Sequence, residues 1–352
     1  MASPDVLLGT WAKHSTPGVA YLHFDRVQVL HQHYAGLAEV STQRPVDAST
    51  SFHGFSVTKT MTALAVVQLA QAGHVDLDAP VREHLPGIPC SGDIRIRHLL
   101  NHTAGLPNPL PLSWVHVPTE ADFDRDAFFA AVFAKHPKLR SKPGARFAYS
   151  NLGYVLLGQL IERVTGQRYE EIVRRGIFDP SGIAPDELGF QYPTNGAHAT
   201  GYLRTPGLLP LLLPFMLDTK RYMGERVGRW RPFKPFLLNG ASYGGSLGTA
   251  HGYRKYLQAL LTPNKLVNDR WREQLFTENL DAAGRRTGMA MGWFTGSLKG
   301  HAFLAHAGGG GGYYAELRLY PAIGKGSVVL FNRTGIRDER VLDELDAPLV
   351  PG

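Results

Sequence analysis

A serine and a lysine three residues apart open the most apolar helical pattern in the chain. Ser56 and Lys59 precede a run, 61–70, that contains almost no strongly polar residue, which predicts a helix buried on most sides. Three residues are nearly one helical turn, so the Lys59 amine can reach the Ser56 hydroxyl. A helix N-terminus favours developing negative charge, and burial lowers the pKa of a lysine toward that of a general base. The pair predicts a nucleophile and its base, although a serine cap followed by a surface lysine gives the same four-residue pattern.

A tyrosine and an asparagine lie just before a second predicted helix, which ends at Gly166. A tyrosine on such a turn can point into a cleft, where its phenol can relay a proton to a leaving group if nearby cations lower its pKa. Tyr149 is therefore a candidate acid–base residue, and Asn151 offers an amide that could hold both Lys59 and a substrate carbonyl. Core packing of Tyr149 and a helix-capping role of Asn151 are the open alternatives.

A glycine-rich run, HAGGGGG at 306–312, directly precedes a predicted strand at 313–320. Backbone without side chains at a strand edge lets a substrate approach closely, and an N–H group there can donate to an oxyanion. A flexible hairpin connection is the open alternative. A phosphate-binding loop is excluded, because neither a Lys-Ser pair nor a helix follows the glycines.

The only cysteine, Cys90, is a weaker candidate for a nucleophile. It lies in a turn-forming segment, PGIPCSG, without a helix start directly after it to lower its pKa. We therefore interpret it as a loop or half-buried thiol. A single cysteine excludes disulfides within the chain and is typical of a reducing compartment.

Short β-prone runs at both ends of the chain enclose a helix-rich middle. Two runs near the start flank Asp25 and Arg26, which predicts a hairpin. The alternation of 313–320 predicts an antiparallel strand covered on one face only. The other predicted strands lie at 289–294, 302–306 and 327–332, and the predicted helices at 57–72, 151–164, 169–175 and 252–261.

Strands from both ends of the chain imply one sheet assembled from distant segments, so the predicted fold class is α+β. We expect one catalytic domain over residues 1–352. Its α/β body would comprise about 1–75 and 240–345, and an inserted helical lobe would comprise about 76–239. Neither an internal repeat nor a low-complexity linker separates the two parts.

The composition, 43% hydrophobic and 19% charged over 352 residues, is typical of a soluble globular protein. The formal charge of +7 is scattered, without the continuous basic run of a nucleic-acid-binding arm, so no nucleic-acid partner is expected. The longest apolar stretch, 208–217, contains two prolines and is too short to span a membrane. Because the first residues lack a signal-peptide pattern, we expect a cytoplasmic protein, or a periplasmic or secreted one if a signal was removed.

In its motifs the chain resembles the class C β-lactamase-like and penicillin-binding-protein-like serine hydrolases. Their three active-site motifs are matched, in order and approximate spacing, by SVTK at 56–59, YSN at 149–151 and HAG at 306–308. Three further stretches are similar to the family: LLNHTAGLP at 99–107, the segment 149–166, and GGSLGTA at 244–250.

This resemblance implies an antiparallel sheet flanked by helices, with the helical lobe carrying Tyr149 across the cleft. It implies that Ser56 is acylated and that Lys59 and Tyr149 share the general-base and general-acid steps. Asn151 would orient the substrate, and the backbone N–H groups of Ser56 and Gly309, beside Gly308, would form the oxyanion hole. Neither a metal nor an organic cofactor is expected.

The third motif departs from class C β-lactamases, which have lysine and threonine where this chain has His306 and Ala307. The cation and hydroxyl that help to bind a β-lactam carboxylate are therefore missing, and a neutral histidine favours neutral esters or amides. We expect an esterase acting on a small-molecule ester. A D-amino-acid peptidase or amidase, a weak β-lactamase, an acyltransferase on the same site and a non-catalytic scaffold are the alternatives. The segment 208–236 is either a lid over an acyl pocket or a loop packed on the core, and the oligomeric state stays open.

Overall fold

The computed structural model describes residues 2–88, 93–120, 123–207, 213–215, 217–335 and 340–351. The prediction for Cys90 lies outside these residues, as do positions 208–212 and 216 of the segment discussed as a lid. The α-helices, numbered along the chain, are α1 (Pro4–His14), α2 (Thr58–Gln71), α3 (Ile96–Leu100), α4 (Arg125–Lys135), α5 (Asn151–Thr165), α6 (Tyr169–Val173), α7 (Thr219–Tyr222), α8 (Ala241–Gly244), α9 (Ala250–Leu261), α10 (Asp269–Phe276) and α11 (Val341–Asp346).

Short 3₁₀ turns lie at Phe55–Val57, Val81–Glu83, Leu213–Phe215 and Pro321–Ile323, and a π-helical turn, Arg174–Phe178, continues α6. The strands are β1 (Gly18–Asp25), β2 (Val29–Glu39), β3 (Arg44–Pro45), β4 (Ser51–His53), β5 (Val115–His116), β6 (Leu188–Gly189), β7 (Tyr202–Arg204), β8 (Trp230–Pro232), β9 (Leu237–Leu238), β10 (Leu247–Thr249), β11 (Met289–Ala290), β12 (Trp293–Leu298), β13 (His301–Gly310), β14 (Tyr313–Tyr320) and β15 (Lys325–Phe331).

Among the described residues, eight strands from the two ends of the chain form one antiparallel sheet in the order β11-β12-β13-β14-β15-β1-β2-β3. The predicted N-terminal hairpin is confirmed as β1 and β2. Its turn is held by the Asp25 carboxylate, which accepts the N–H groups of Val27 and Gln28 at 2.8 Å each. This sheet with flanking helices confirms the predicted α+β class, whereas the proposed division into body and lobe stays a prediction.

The predicted one-sided covering of β14 is wrong, because every residue of that strand is buried. One face joins the main hydrophobic cluster, in which Leu317 packs with residues of α2 such as Met61 and Leu64. The other face is covered by the two terminal helices, which contribute residues such as Leu8 and Leu342. The polar residues of that face, which the sequence pattern places toward solvent, are therefore inside the protein.

The two helices that carry the predicted motifs form where the sequence predicts them. Nearly all of α2 is buried, as its apolar run implies, and α5 ends at Gly166, whose φ of +67° is accommodated without a Cβ. The side chain of Ser150, rather than that of Asn151, caps α5 by accepting the N–H of Gly153. Asn151 is therefore free of the capping role and is the first residue of the helix.

The described part of 208–236 packs on the rest of the molecule. Leu213 and Met223 form a small cluster with Leu203, and Tyr222 and Phe236 belong to the main core. Within the described ranges, no helix is both long and apolar enough to cross a bilayer.

Candidate active site

Ser56 lies in the 3₁₀ turn that leads into α2, and the residue before it has an unusual backbone conformation. Phe55 has a φ of +49°, in the left-handed region that residues other than glycine seldom adopt. Its ring is held among His53, Phe236 and Tyr313 at centroid distances of 5.5 to 6.4 Å. This packing stabilises a sharp turn that leaves Ser56 half-buried at the wall of a cleft.

Lys59 lies one helical turn further on and has no exposed surface. Its amine is 3.0 Å from Ser56 Oγ, 2.8 Å from Asn151 Oδ1 and 2.6 Å from the carbonyl oxygen of Tyr243. Each contact comes from a different element, namely the turn before α2, the start of α5 and α8. Folding therefore brings together three segments that are far apart in the chain.

These three contacts determine where a lone pair of the Lys59 amine can point. Burial lowers the pKa of Lys59 well below its ordinary value of 10.5, which favours the neutral amine. A neutral amine has two N–H donors and one lone pair, and the carbonyl oxygens of Asn151 and Tyr243 can only accept. When both are bonded, the lone pair is left for the hydroxyl proton of Ser56. The arrangement can therefore deprotonate Ser56 as its oxygen attacks an electrophile.

Tyr149 lies just before α5 and contacts Lys59 through its ring. The Lys59 amine is 5.0 Å from the centre of the Tyr149 ring, and the ring is half-buried in the wall of the cleft. The structure therefore brings Ser56, Lys59, Tyr149 and Asn151 together, as their motifs predict.

The glycine-rich run differs from the expectation of a loop before a strand. Residues up to Gly310 are part of β13 itself, and only Gly311 and Gly312 form the turn to β14. The ladder between β12 and β13 ends at Ala305, so the edge of β13 beyond it borders the cleft. A Cβ at Gly308 would lie 2.6 Å from the backbone nitrogen of Ser56, so the strand can approach Ser56 this closely only as glycine.

The resemblance implies that the N–H groups of Ser56 and Gly309 donate to an oxyanion. Both residues line the cleft. Their segments are neighbours, because the backbone of Gly308 lies directly against that of Ser56. An N–H pair from a helix start and a strand edge is the usual form of such a site. Their role stays a prediction.

His306 is buried and neutral. Burial, with a smaller contribution from Lys59, lowers the pKa of His306 to about 3. Its Nδ1 is 2.7 Å from the carbonyl oxygen of Ala307, which can only accept, so the ring proton is on Nδ1 and Nε2 has a lone pair. The expectation of a neutral histidine in place of the family's lysine agrees with this environment.

The cleft has a volume of about 630 Å³. Aromatic side chains and glycine backbone line it, and the described lining contains neither acidic nor lysine or arginine side chains. The lining residues are Ser56, Phe147, Tyr149, Phe294, His306, Ala307, Gly308, Gly309, Gly310, Tyr313, Tyr314, Thr334 and Gly335. No described residue of 208–236 is among them.

Sequence reasoning missed the Tyr243 carbonyl and the aromatic pair of Phe147 and Phe294. A backbone acceptor has no residue-type signature, although Tyr243 directly precedes the family-like stretch at 244–250. Phe147 is two residues before Tyr149, so its position near that motif was the available signal. Phe294 lies in a predicted strand that contains no motif residue. In the ranges that the structure describes, no group of three or more His, Cys, Asp or Glu side chains is arranged to hold a metal ion.

Known proteins with similar sequences support this description. A family model described as beta-lactamase matches residues 5–350. Penicillin-binding protein 4* of Bacillus subtilis (strain 168) is 32% identical over 155 residues, which are 44% of this chain and 34% of that protein. Unguisins hydrolase ungD of Aspergillus violaceofuscus (strain CBS 115571) is 26% identical over an alignment of 356 residues, covering 90% of this chain and 58% of that protein. The chain thus spans about a third and about three fifths, respectively, of these relatives.

Among solved structures, the D-amino acid amidase of Ochrobactrum anthropi SV3, in complex with L-phenylalanine amide, has a TM-score of 0.75 at 19% identity. The match covers 98% of this chain and 95% of that chain. At this identity the likeness shows a common fold.

Proposed function

The chain belongs to the beta-lactamase family, whose model matches residues 5–350, and we propose that it hydrolyses neutral carboxylic esters through an acyl-enzyme on Ser56. The observation that carries the proposal is the buried Lys59 amine, 3.0 Å from Ser56 Oγ, whose other two contacts are acceptors only. A lysine without a carboxylate among these contacts has no structural ion pair to make. Its position is instead that of a base.

In the first half of the reaction Ser56 Oγ attacks the ester carbonyl carbon while its proton passes to the Lys59 amine. The new C–O bond forms as the carbonyl electron pair moves to oxygen, and the N–H groups of Ser56 and Gly309 stabilise that oxyanion. Collapse of the tetrahedral intermediate breaks the bond to the alcohol oxygen. This oxygen takes up a proton from Lys59, directly or through Tyr149, and the alcohol leaves.

In the second half a water molecule attacks the acyl-enzyme and gives its proton to the base formed by Lys59 and Tyr149. A second tetrahedral intermediate expels Ser56 Oγ, which regains a proton, and the carboxylic acid is released. Asn151 holds the Lys59 amine through both halves and orients the substrate beside it.

The preference for a neutral substrate rests on the lining of the cleft. Phe147 and Phe294 face it together with a neutral His306, and the described lining offers no cation for a substrate carboxylate. An apolar acyl or alcohol group would replace water on these aromatic side chains, which favours binding. For an anionic substrate, the described lining provides no lysine or arginine side chain to replace the lost hydration.

Active-site labelling and a substrate series test the proposal. We expect a fluorophosphonate to label wild-type protein stoichiometrically at Ser56, and p-nitrophenyl esters to give a burst of p-nitrophenol. Ser56→Ala is the matched control and should show neither. A well-folded wild-type protein that is neither labelled nor active would overturn the nucleophile and favour a scaffold, and activity that survives Ser56→Ala would indicate another catalytic site.

The same assay separates ester hydrolysis from its alternatives. A chain-length series of p-nitrophenyl esters is compared with a D-amino-acid p-nitroanilide and a chromogenic cephalosporin. A higher kcat/KM for the anilide or the cephalosporin would contradict the ester preference while leaving Ser56 as nucleophile. Addition of an alcohol or amine acceptor that yields a new ester or amide, in place of free acid, would identify an acyltransferase.

A further inference from the structure

The stretch at 99–107, which is similar to the family but has no role in the chemistry above, contacts Tyr149 and its neighbours. It begins at the end of α3 and contributes His102, a residue with 2% of its surface exposed and a φ of +53°. Left-handed backbone is uncommon for residues other than glycine and is found preferentially at functional sites. This backbone conformation therefore marks His102 as a candidate functional residue.

His102 binds the backbone on both sides of Tyr149. Its carbonyl oxygen accepts the N–H of Ala148 at 2.7 Å, and its ring Nδ1 accepts the N–H of Ser150 at 3.1 Å. The backbone N–H groups of the residues before and after Tyr149 are thus both bonded to one residue. Together these bonds set the direction in which the Tyr149 side chain leaves the backbone.

The ring of His102 also stacks on the ring of Tyr149. The two ring centres are 4.3 Å apart and the planes are inclined by 30°. This contact restricts rotation of the Tyr149 side chain about its χ angles. On the same tyrosine ring, the Lys59 amine is 5.0 Å from the centre.

Neighbouring residues of the same loop hold the next two residues of the motif but have no such ring contact. The carbonyl oxygen of Pro107 accepts the hydroxyl of Ser150 at 2.8 Å, and Asn108 Oδ1 accepts the N–H of Asn151 at 3.0 Å. The loop therefore fixes the whole motif. His102 is distinguished by acting on both the backbone and the side-chain ring of Tyr149.

The charge state of His102 suits a fixed support. Because Nδ1 accepts a backbone N–H, the proton of the neutral ring is on Nε2. Burial is the main cause that lowers the pKa of His102 well below its ordinary value. The ring is therefore neutral near neutral pH and keeps one protonation state.

We propose that His102 is a positioning residue for Tyr149, holding its ring beside Lys59 so that the two can share a proton during acylation. The proposal rests on the proposed function of Ser56, Lys59 and Tyr149. His102 itself is absent from the described lining of the cleft, so it acts through Tyr149 rather than on the substrate.

The test is His102→Asn in the full-length protein. Asparagine tolerates left-handed backbone, and its amide oxygen can replace Nδ1 as acceptor, but it has no ring to stack. In burst kinetics with a p-nitrophenyl ester we expect the acylation rate constant to fall by about 10- to 100-fold, as for a small misplacement of a reacting group. The substrate concentration at half-saturation should be unchanged. If His102→Asn does not fold, His102→Gly, which also permits the positive φ, replaces it in every assay.

A double-mutant cycle distinguishes positioning of Tyr149 from a general structural effect. In the Tyr149→Phe background, adding His102→Asn should slow acylation by less than about threefold, because the hydroxyl that His102 positions is already gone. An equal loss in both backgrounds would overturn the proposal, as would a His102→Asn protein with the wild-type rate.

His98→Asn is the matched control. His98 lies in α3 and also accepts a backbone N–H through Nδ1, from Arg95 at 3.1 Å, but it is outside the site. It should leave acylation unchanged, and a loss equal to that of His102→Asn would show that the effect is structural. A wild-type protein that forms no acyl-enzyme would overturn the proposed function and this inference together, whereas an active wild type with an equally active His102→Asn overturns only the inference.

Discussion

Two buried polar clusters, on opposite faces of the central sheet, each enclose a fully buried basic side chain but differ in the partners that they offer it. On the face covered by the terminal helices, Arg318 is 2.9 Å from a carboxylate oxygen of Glu316 and 2.7 Å from one of Asp343. On the other face, Lys59 contacts a hydroxyl, an amide oxygen and a backbone carbonyl. Neither side chain has exposed surface.

The difference in partners gives opposite shifts of pKa. Burial acts to lower the pKa of Arg318, but the charges of Glu316 and Asp346 outweigh it and raise that pKa. Burial lowers the pKa of Lys59, and no carboxylate is among its three hydrogen-bond partners described above to oppose the shift. A paired buried cation stays charged and is structural, whereas an unpaired one is available for proton transfer.

Lys59→Met should give the largest effect if this comparison holds. We expect kcat/KM for a p-nitrophenyl ester to fall by about 10²–10⁴-fold, the range of a lost general base. Steady-state and burst kinetics on protein shown to be folded by its thermal melt give the measurement. Arg318→Met, the same change in the other cluster, is the control for activity, and equal losses in the two variants would break the comparison.

Arg318→Met should in turn give the largest loss of stability. Removing the guanidinium leaves Glu316 and Asp343 without their buried partner, which costs about 3–5 kcal/mol in the free energy of unfolding. Urea unfolding measures it. Adding Glu316→Gln should recover part of the loss, and a destabilisation by Arg318→Met of under about 1 kcal/mol would show that the ion pair is not structural.

The pH dependence of stability sharpens the role of Glu316. Burial, opposed by Arg318, raises the pKa of Glu316 from 4.5 to about 7. Between these values the folded state holds a proton that the unfolded state has lost, so the free energy of unfolding falls as pH rises through this window. Glu316→Gln should reduce that decline by on the order of 1–2 kcal/mol between pH ~5 and ~8. Identical pH profiles of wild type and variant, in urea titrations, would contradict this.

Arg340→Ala should have the smallest effect, although it removes a partner of the same carboxylate. The Arg340 guanidinium is 2.7 Å from Asp343, but its side chain is 55% exposed. Solvent screens such a pair, so we expect a change in unfolding free energy of under about 1 kcal/mol. A loss equal to that of Arg318→Met, measured by the same urea titration, would show that burial does not decide the contribution of these pairs.

Part of the site was predictable because it is local in sequence. The spacing of Ser56 and Lys59 on one helix turn, and the helix that begins at Asn151, follow from apolar periodicity and capping rules. The matching order of the three motifs then identified residues that the structure brings together.

Other features were not predictable because they depend on which distant segments pack together. The prediction that β14 is covered on one face only is wrong, because the terminal helices α1 and α11 pack over its polar face. The sequence predicts that the glycine run precedes a strand. In the structure its first three glycines pair with β14 and so extend β13 through Gly310. The Tyr243 carbonyl and the support of Tyr149 by His102 have no signature in residue type at all.

The sequence by itself determined the fold class, the proximity of Ser56 and Lys59 about one helical turn apart, and the absence of the family's cationic residue at His306. These depend on residue identity and on spacing within one element, where helix geometry fixes which side chains meet. Only the tertiary structure decided that Lys59 is enclosed by acceptors from α5 and α8 while Arg318 is enclosed by carboxylates. The pKa of a buried amine or guanidinium depends on the atoms around it, and these come from segments that only the folded chain brings within hydrogen-bond distance.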